Sequence, residues 1–301
     1  MSVKGTDRPR KVLVTGATGG LACVLLPKLD AIGPLITVAR QSFPPITDQL
    51  DLSDAKAVLA LIKREKPDVI IHLAALTDVD QCETHPLLAW EQNVRNTRNL
   101  VDAVAECRLN PHFVYASTDM VYDGNGLNTE RNTRPGNIYA LTKLWGEDIA
   151  GILEKSLILR LNFFGVPKKS GPSLTSWLDQ ACRSEQGATL FSDVMFSPLF
   201  AVDLADAIVG LIAKEVSGVV NLGCSGSGVS KADFLRRIAS ELGLPTDKLR
   251  DGSVKDVTLS AYRPRDMRMD VSKAEKILQA SLPTIDETVG RFVKMSGDLG
   301  G

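Results

Sequence analysis

A short apolar run that leads into a glycine-containing turn constrains the fold of this chain more than any other feature. Residues 11–15 are typical of a β-strand, Gly16 and Gly19 follow, and 21–29 is typical of a helix. Free backbone N–H groups point out of a helix N-terminus, so this arrangement can hold a pyrophosphate. An ordinary strand-to-helix turn stays open on this motif alone, because Ala22 stands where a full motif has a third glycine.

Strand-like and helix-like segments alternate through the first half of the chain. Further strands are expected at 34–39, 67–73, 112–116 and 156–161, and helices at 54–65, 87–107 and 138–153. Pro27 should kink or shorten the first helix. The alternation predicts an α/β fold with a Rossmann-type doubly wound parallel sheet, and the continuous apolar strands predict that both of its faces are covered.

The pattern loosens after about residue 165, which predicts a smaller C-terminal α/β substrate lobe. Its expected elements are helices at 173–185, 202–213, 230–242 and 272–278, and a strand at 219–223. We expect a flexible tail at 1–10 and an NAD(P)-binding Rossmann domain at 11–165 with a return segment at about 188–215. The substrate-binding lobe would then comprise 166–187 and 216–301.

Charge, hydropathy and cysteine usage exclude several classes of function. The net charge of −1, from 35 basic and 36 acidic residues, gives no electrostatic reason to expect nucleic acid or an anionic membrane as a partner. Neither a long apolar run nor a signal-peptide pattern is present, so no membrane association is expected. Five scattered cysteines indicate reduced thiols and a cytoplasmic location.

Three side chains suggest chemistry at a carbonyl group. Tyr139 and Lys143 are four residues apart and so share one face of the expected helix. A neighbouring cation favours the phenolate, so we expect Lys143 to lower the pKa of Tyr139. Thr118 follows an expected strand at the sheet edge where doubly wound folds bind ligands. Each feature alone is common on protein surfaces, and only their combination with the glycine turn indicates a redox site.

The residues after the second and third strands bear on the choice of cofactor. Arg40 lies where a ribose-binding acid would be expected, which favours NADP(H) and leaves NAD(H) open, unless Arg40 is simply an exposed loop residue. Asp51 could contact the adenine or serve as a helix N-terminal acid. Ala74 and Ala75 could let a cofactor pass closely or could simply pack tightly at a strand end.

Three other motifs have structural interpretations. Cys82 and His85 form half of a metal site without a second pair, so no metal is expected. His72 lies on an apolar strand and is interpreted as a core histidine with satisfied hydrogen bonds. The glycine-rich segment 223–228 lacks a Walker lysine and is interpreted as a link between a strand and the helix capped by Ser230.

Together these motifs resemble the extended short-chain dehydrogenase/reductase superfamily over nearly the whole chain, and within it the dTDP-4-dehydrorhamnose reductases. The matching stretches are 15–22, 66–75, 77–80, 93–100, 117–124, 139–147, 196–198, 203–205, 263–264 and 270–273. The resemblance implies a catalytic trio of Thr118, Tyr139 and Lys143. It implies cofactor contacts at Gly16, Thr18, Gly19, Gly20, Leu21, Arg40, Asp51, Leu52, Ala74, Ala75, Leu76, Asn93, Tyr139 and Lys143. It implies substrate contacts at Thr118, Asp119, Asn162 and Arg263.

The resemblance implies NADPH-dependent reduction of a 4-keto-6-deoxy sugar nucleotide, and it leaves a homodimer open. Met120 stands where related dehydratases carry an acid and epimerase-reductases a cysteine, which argues for simple reduction. Phe163 replaces a tryptophan that is usual in the reductases. Two alternatives remain: a non-catalytic NADP-binding subunit similar to the β-subunit of methionine adenosyltransferase, and another sugar-nucleotide epimerase of the superfamily.

Overall fold

Helices flank a central parallel sheet in this protein, and smaller two-stranded sheets lie beyond it. The computed structural model describes residues 9–41, 46–165 and 174–298. The strands are β1 (Val12–Thr15), β2 (Leu35–Ala39), β3 (Asp48–Gln49), β4 (Val69–His72), β5 (His112–Ala116), β6 (Ser156–Leu161), β7 (Phe163–Phe164), β8 (Ala188–Phe191), β9 (Met195–Phe196), β10 (Leu199–Phe200), β11 (Gly218–Leu222), β12 (Val229–Ser230) and β13 (Leu249–Gly252). The α-helices are α1 (Gly20–Leu29), α2 (Ala55–Glu65), α3 (Val79–Thr84), α4 (Pro86–Trp90), α5 (Asn96–Glu106), α6 (Ile138–Ala150), α7 (Leu174–Arg183), α8 (Ala201–Ala213), α9 (Lys231–Glu241), α10 (Ser272–Leu278) and α11 (Ile285–Asp298).

The main sheet has seven strands in the order β11-β6-β5-β4-β1-β2-β3, and every pair in it is parallel. From β1 the chain first runs outward to β2 and β3 and then crosses back to β4. This reversal of strand order leaves a crevice at the carboxyl ends of β1 and β4, where doubly wound sheets bind ligands. The predicted fold class is confirmed.

Both faces of this sheet are covered, as the apolar strands predicted. Val12 and Val14 belong to the core that also contains the apolar side chains of α1 and α8. Leu13, which points the opposite way, belongs to the core shared with α2 and α5. All three side chains are fully buried, which explains why β1 has no polar alternation.

The C-terminal lobe is built from short strands that are distant in sequence. β8 pairs with β13, β9 with β12 and β7 with β10. Five phenylalanines fill the space between them with edge-to-face or tilted contacts, at ring-centre distances of 4.9 to 6.0 Å. They are Phe164, Phe196, Phe200, Phe234 and Phe292.

The boundary between the two parts differs from the one expected. β11 pairs with β6 in the main sheet, although the sequence analysis placed it in the lobe. Val271, Ala274 and Leu282 also pack into the core under the sheet, so the chain returns there after the lobe. In the expected return segment 188–215, β8 instead pairs within the lobe, whereas α8 packs against α1. The cause is tertiary pairing, which short apolar segments do not reveal in sequence.

Other elements differ in detail. The long helix expected at 87–107 is divided into α4, a π-helical turn at Glu91–Arg95 and α5. Pro27 lies in the last turn of α1 without shortening it. Residues 1–8 of the expected tail and residues 166–173 of the expected lobe lie outside the described residues. None of the helices in the described ranges has the length and apolar character needed to cross a membrane.

Candidate active site

A cleft of about 350 Å³ follows the carboxyl edge of the sheet. Residues lining it lie at or just after the carboxyl ends of β2, β1, β4, β5 and β6, five strands that are adjacent in the sheet. Neighbouring strands lie about 4.8 Å apart, so this edge spans roughly 20 Å, and a site along it is elongated. Of the residues expected to contact the cofactor, those that line the cleft are Gly16, Thr18, Gly19, Gly20, Leu21, Arg40, Asp51, Leu52, Ala74, Ala75, Tyr139 and Lys143.

The glycine turn forms the middle of this cleft. Gly16 has a φ of 67°, and a Cβ there would lie 2.6 Å from the backbone nitrogen of Ala74. A side chain is therefore excluded both by backbone conformation and by space. Gly19 is the N-cap of α1, and no side chain caps its free N–H groups and no acid lies in the first turn. The N-terminus of α1 thus has the chemistry of an anion-binding site.

Arg40 and Asp51 line the end of the cleft that follows β2 and β3. Arg40 is exposed, and its carbonyl oxygen accepts a hydrogen bond of 3.0 Å from Gln49 Nε2. The backbone N–H of Ser53 donates to Asp51 Oδ1 at 2.9 Å and lowers the pKa of Asp51, and the charge of Arg40 contributes to the lowering. An exposed cation beside this cleft suits a phosphate group more than it suits ribose hydroxyls.

Two expected cofactor contacts, Leu76 and Asn93, do not line the cleft. Asn93 Oδ1 accepts from the backbone nitrogen of Leu76 at 2.8 Å, and its Nδ2 donates to Leu76 O and to Thr142 Oγ1. The amide of Asn93 is thereby engaged in fastening the chain after β4 to α6. Asn93 therefore has a structural role, and the assignment of Leu76 and Asn93 as cofactor contacts stays a prediction.

Gln92 and Asn96 are among the polar residues of the cleft wall that sequence reasoning missed. They lie on and just after the π-helical turn, which shifts the register of side chains along the helix. The continuous helical pattern of 87–107 carried no sign of that turn, so no sequence signal could have identified these residues.

Tyr139 and Lys143 lie on the inner face of α6, with 8% and 3% of their surfaces exposed. Asn137 caps this helix, since its side chain accepts from the backbone nitrogen of Ala140 at 2.8 Å. Thr118 caps a short 3-10 turn after β5, accepting from Met120 N at 3.2 Å, and its side chain is near enough to Tyr139 to oppose the rise in the pKa of that phenol. The expected trio is therefore close together.

The pKa of Tyr139 shifts in the direction opposite to the one expected from the helix position of Lys143. Burial raises the pKa of Tyr139 well above its ordinary value, and the side chain of Thr118 offsets only part of that rise. Burial also lowers the pKa of Lys143 to about 7, despite the opposing charge of Glu147. Lys143 Nζ lies 4.1 Å from the centre of the Tyr115 ring. Burial disfavours both charged forms, so the phenol stays protonated at neutral pH.

A buried ion pair supports the helix that carries these residues. Arg160 Nη2 donates to Glu147 Oε2 at 2.6 Å, and both side chains are 4% exposed. Ser117 donates to the same carboxylate, and Arg160 also donates to Tyr122 Oη at 2.9 Å. Ser117 lines the cleft, but its hydroxyl is engaged with Glu147, which leaves Thr118 as the hydroxyl beside Tyr139.

The expected substrate residues lie beyond Tyr139, and the cleft-lining set described above does not include them. Asp119 is 1% exposed, accepts from Asn162 Nδ2 at 2.7 Å and from Thr118 Oγ1 at 3.3 Å. Burial raises the pKa of Asp119 to about 6, although the hydrogen bond from Asn162 and the charge of Lys231 oppose the rise. Arg263 pairs with Asp80 at 2.6 Å, and its side chain is 16% exposed.

The remaining motifs have structural roles. His72 is buried, bonds Thr15 Oγ1 at 2.6 Å and Thr97 Oγ1 at 3.1 Å, and burial lowers its pKa to about 3, which confirms a satisfied core histidine. Cys82 is buried, with its Sγ 3.6 Å from Leu76 O. Within the described ranges, no group of three or more His, Cys, Asp or Glu side chains is placed to hold a metal ion.

Comparisons with known proteins agree with this geometry. A family model described as the RmlD substrate binding domain matches residues 10–297. A probable low-salt glycan biosynthesis reductase, Agl14, from Haloferax volcanii is 31% identical over 286 residues, 91% of this chain and 94% of that protein. Methionine adenosyltransferase 2 subunit beta from Rattus norvegicus is 31% identical over 284 residues, 89% of this chain and 82% of that protein.

A solved structure shows the same fold. It is dTDP-4-dehydrorhamnose reductase from Bacillus anthracis, crystallised in complex with NADP, and it matches with a TM-score of 0.85. The match covers 96% of this chain and 100% of that one at 24% sequence identity. At that identity the likeness concerns the fold.

Proposed function

Because the chain belongs to the RmlD substrate binding domain family, we propose that it is an NADPH-dependent reductase of a 4-keto-6-deoxy sugar nucleotide. The observation that carries the proposal is the placement of Tyr139 and Lys143 in the wall of the same cleft as the glycine turn. A protonated phenol beside a dinucleotide cleft is the arrangement that carbonyl reduction requires.

The cleft residues fit a dinucleotide phosphate. Gly16 has no side chain and lets the backbone after β1 lie close to that of Ala74. The uncapped N-terminus of α1 suits a pyrophosphate, and the exposed Arg40 suits a 2′-phosphate. NADPH, when bound, would supply the hydride for the carbonyl carbon. NADH stays open as a weaker alternative.

Tyr139 would act as the general acid at the carbonyl oxygen. Its raised pKa keeps the proton on the phenol until negative charge develops on the substrate. Thr118, whose side chain lowers the pKa of Tyr139, would place a second hydroxyl next to the same oxygen. Lys143, with a pKa of about 7, would stabilise the phenolate that remains after proton transfer.

Met120 argues against elimination chemistry at this site. It is partly buried, and it packs against the apolar core of the lobe and the cluster around Tyr139. A thioether can neither add nor remove a proton at a sugar carbon, and a dehydratase or epimerase needs such a group. Simple reduction at the keto group is the chemistry that these residues support.

The direct test is a panel of 4-keto-6-deoxy sugar nucleotides with different bases, with the loss of NADPH absorbance as readout. We expect steady turnover with at least one member. Incubation with the parent dTDP- or GDP-hexose should yield no 4-keto product, and its accumulation would contradict the reductase assignment.

A second candidate function is supported by the 31% identity to methionine adenosyltransferase 2 subunit beta. In that case the chain would be a non-catalytic NADP-binding subunit, and the cofactor site would be retained without turnover. NADPH binding with no activity on the whole panel, together with co-purification with a catalytic subunit, would favour it.

A further inference from the structure

Lys231 is a half-buried cation at the start of α9. Its Nζ lies 5.9 Å from the centre of the Phe196 ring, in the wall of the lobe. In the described part of the chain, this ammonium has a ring contact and electrostatic neighbours but makes no hydrogen bond or ion pair. A desolvated ammonium without a carboxylate partner is costly to keep in a fold.

The position of Lys231 adds a second cost. The first turn of a helix is the positive end of its dipole, where a cation is unfavourable. Asp233, the acid in this turn, accepts from the Ser230 hydroxyl at 2.6 Å. Burial lowers the pKa of Lys231, and the charge of Arg263 lowers it further. Helix capping and packing therefore give no reason for a lysine here.

The surroundings of Lys231 place it beside the catalytic end of the site. Lys231 lies over the ring of Phe196, and Met120, two residues after Thr118, packs against the core cluster that contains this ring. The charge of Lys231 also interacts with Asp119. Asp119, the acid whose charge acts on Lys231, is buried, and in the described part of the chain the two groups form no ion pair. The positive potential at this junction of sheet and lobe is left for an anion from outside the chain.

Arg263 differs from Lys231 in being neutralised by its own surroundings. Its Nη2 pairs with Asp80 at 2.6 Å and its Nη1 donates to Ala261 O at 3.0 Å. Asp80 also accepts from Ala261 N at 2.9 Å. The guanidinium thus fastens its own loop to α3, and a ligand would have to compete with that ion pair.

We propose that Lys231, rather than Arg263, is the cation that binds the diphosphate of a nucleoside diphosphate sugar. The proposal rests on the proposed function, whose substrate class carries a diphosphate as its anionic group. A lysine ammonium can bind phosphate oxygens as a point charge, without the planar geometry that arginine demands. Arg263 then becomes a positioning residue for the loop at 261–265.

The test measures binding of dTDP, UDP and GDP by calorimetry to protein saturated with NADPH, so that the cofactor cleft does not compete. Lys231→Met should weaken the affinity for the nucleoside diphosphate by about tenfold to a hundredfold, as expected for a hydrogen bond to a charged group. Its melting temperature should stay level or rise, because the substitution removes a half-buried charge that has no ion-pair partner among the described residues. Lys231→Arg should recover part of the affinity, and Lys214→Met, on an exposed lysine, is the matched control.

Arg263→Met completes the comparison. It should lower the melting temperature by breaking the pair with Asp80, and it should change the affinity less than Lys231→Met does. Unchanged diphosphate affinity in Lys231→Met would overturn the inference, as would a larger loss in a stable Arg263→Met protein. If the wild type binds NADPH but none of the three diphosphates, the proposed substrate class itself fails.

Discussion

The sheet edge and the C-terminal lobe build their parts of the site in different ways. At the sheet edge, each group follows a strand of one continuous ladder, as Gly16 follows β1 and Ala116 ends β5. In the lobe, β8 and β13 are about sixty residues apart, and the core is a cluster of phenylalanines. The first arrangement fixes reacting groups on rigid elements, whereas the second leaves room to change what is recognised.

This contrast assigns different roles to the two regions. Proton transfer and cofactor binding would depend on the sheet edge, and the choice of substrate would depend on the lobe. Substitutions at the edge should therefore change turnover or cofactor affinity, and substitutions in the lobe should change substrate affinity.

Tyr139→Phe should change turnover more than any other substitution considered. A small change would contradict the assignment of proton transfer to the sheet edge. The variant keeps the ring that packs beside Cys82 and Ala89 but loses the transferable proton. We expect turnover to fall on the order of 10²-fold or more, with NADPH affinity nearly unchanged. Tyr262→Phe, at a half-exposed tyrosine that bonds Asp123 at 2.7 Å, is the control. If a folded Tyr139→Phe protein reduced the substrate at a near-normal rate, another group would have to be the general acid.

Asp119→Asn tests a residue that follows β5 of the sheet and interacts with the charge of Lys231 in the lobe. Burial raises the pKa of Asp119 from 3.8 to about 6, so the folded state binds more protons than the unfolded state between these values. Wild-type stability should therefore fall relative to the variant as pH rises from about 4 through 6. Between pH 4 and pH 8 the difference in free energy of unfolding should shift in favour of the variant by up to about 3 kcal/mol, at about 1.4 kcal/mol per pKa unit. Urea unfolding at pH 8 and below pH 4.5 measures this difference, and a gap independent of pH would contradict it.

Arg40→Asp should have a smaller effect, confined to the far end of the cleft. A carboxylate there repels a 2′-phosphate and can accept from ribose hydroxyls, so the preference should shift toward NADH by about tenfold. Calorimetric titration with both cofactors measures it, with Arg98→Asp as an exposed control of equal charge change. If the wild type bound NADH more tightly than NADPH, the proposed role of Arg40 at the 2′-phosphate would be contradicted.

The parts of the molecule that sequence predicted share a local cause. β5, β6 and α10 have the expected bounds because apolar runs or helical periodicity determine them. Gly16 could be identified because a left-handed φ at a strand end demands glycine. These features require no knowledge of distant partners.

The parts that sequence did not predict depend on contacts far along the chain. The place of β11 depends on pairing with β6, and the role of Asn93 depends on Leu76 and Thr142. The pKa of Tyr139 was expected to fall because the helix spacing of Lys143 was visible in the sequence, whereas its burial was not. The pairing of Arg263 with Asp80 was invisible for the same reason.

Transfer of a labelled hydrogen tests most directly whether the protein reduces a sugar-nucleotide ketone with Tyr139 as the acid. Wild-type protein would be incubated with a 4-keto-6-deoxy sugar nucleotide and NADPH in which both hydrogens at nicotinamide C4 are deuterium, and the product analysed by mass spectrometry and NMR. We expect one deuterium at sugar C4, in amounts equal to the NADPH consumed, and a rate lower on the order of 10²-fold or more in Tyr139→Phe. Tight NADPH binding with no deuterium transfer to any keto-sugar nucleotide of the panel would contradict this expectation and favour the non-catalytic subunit.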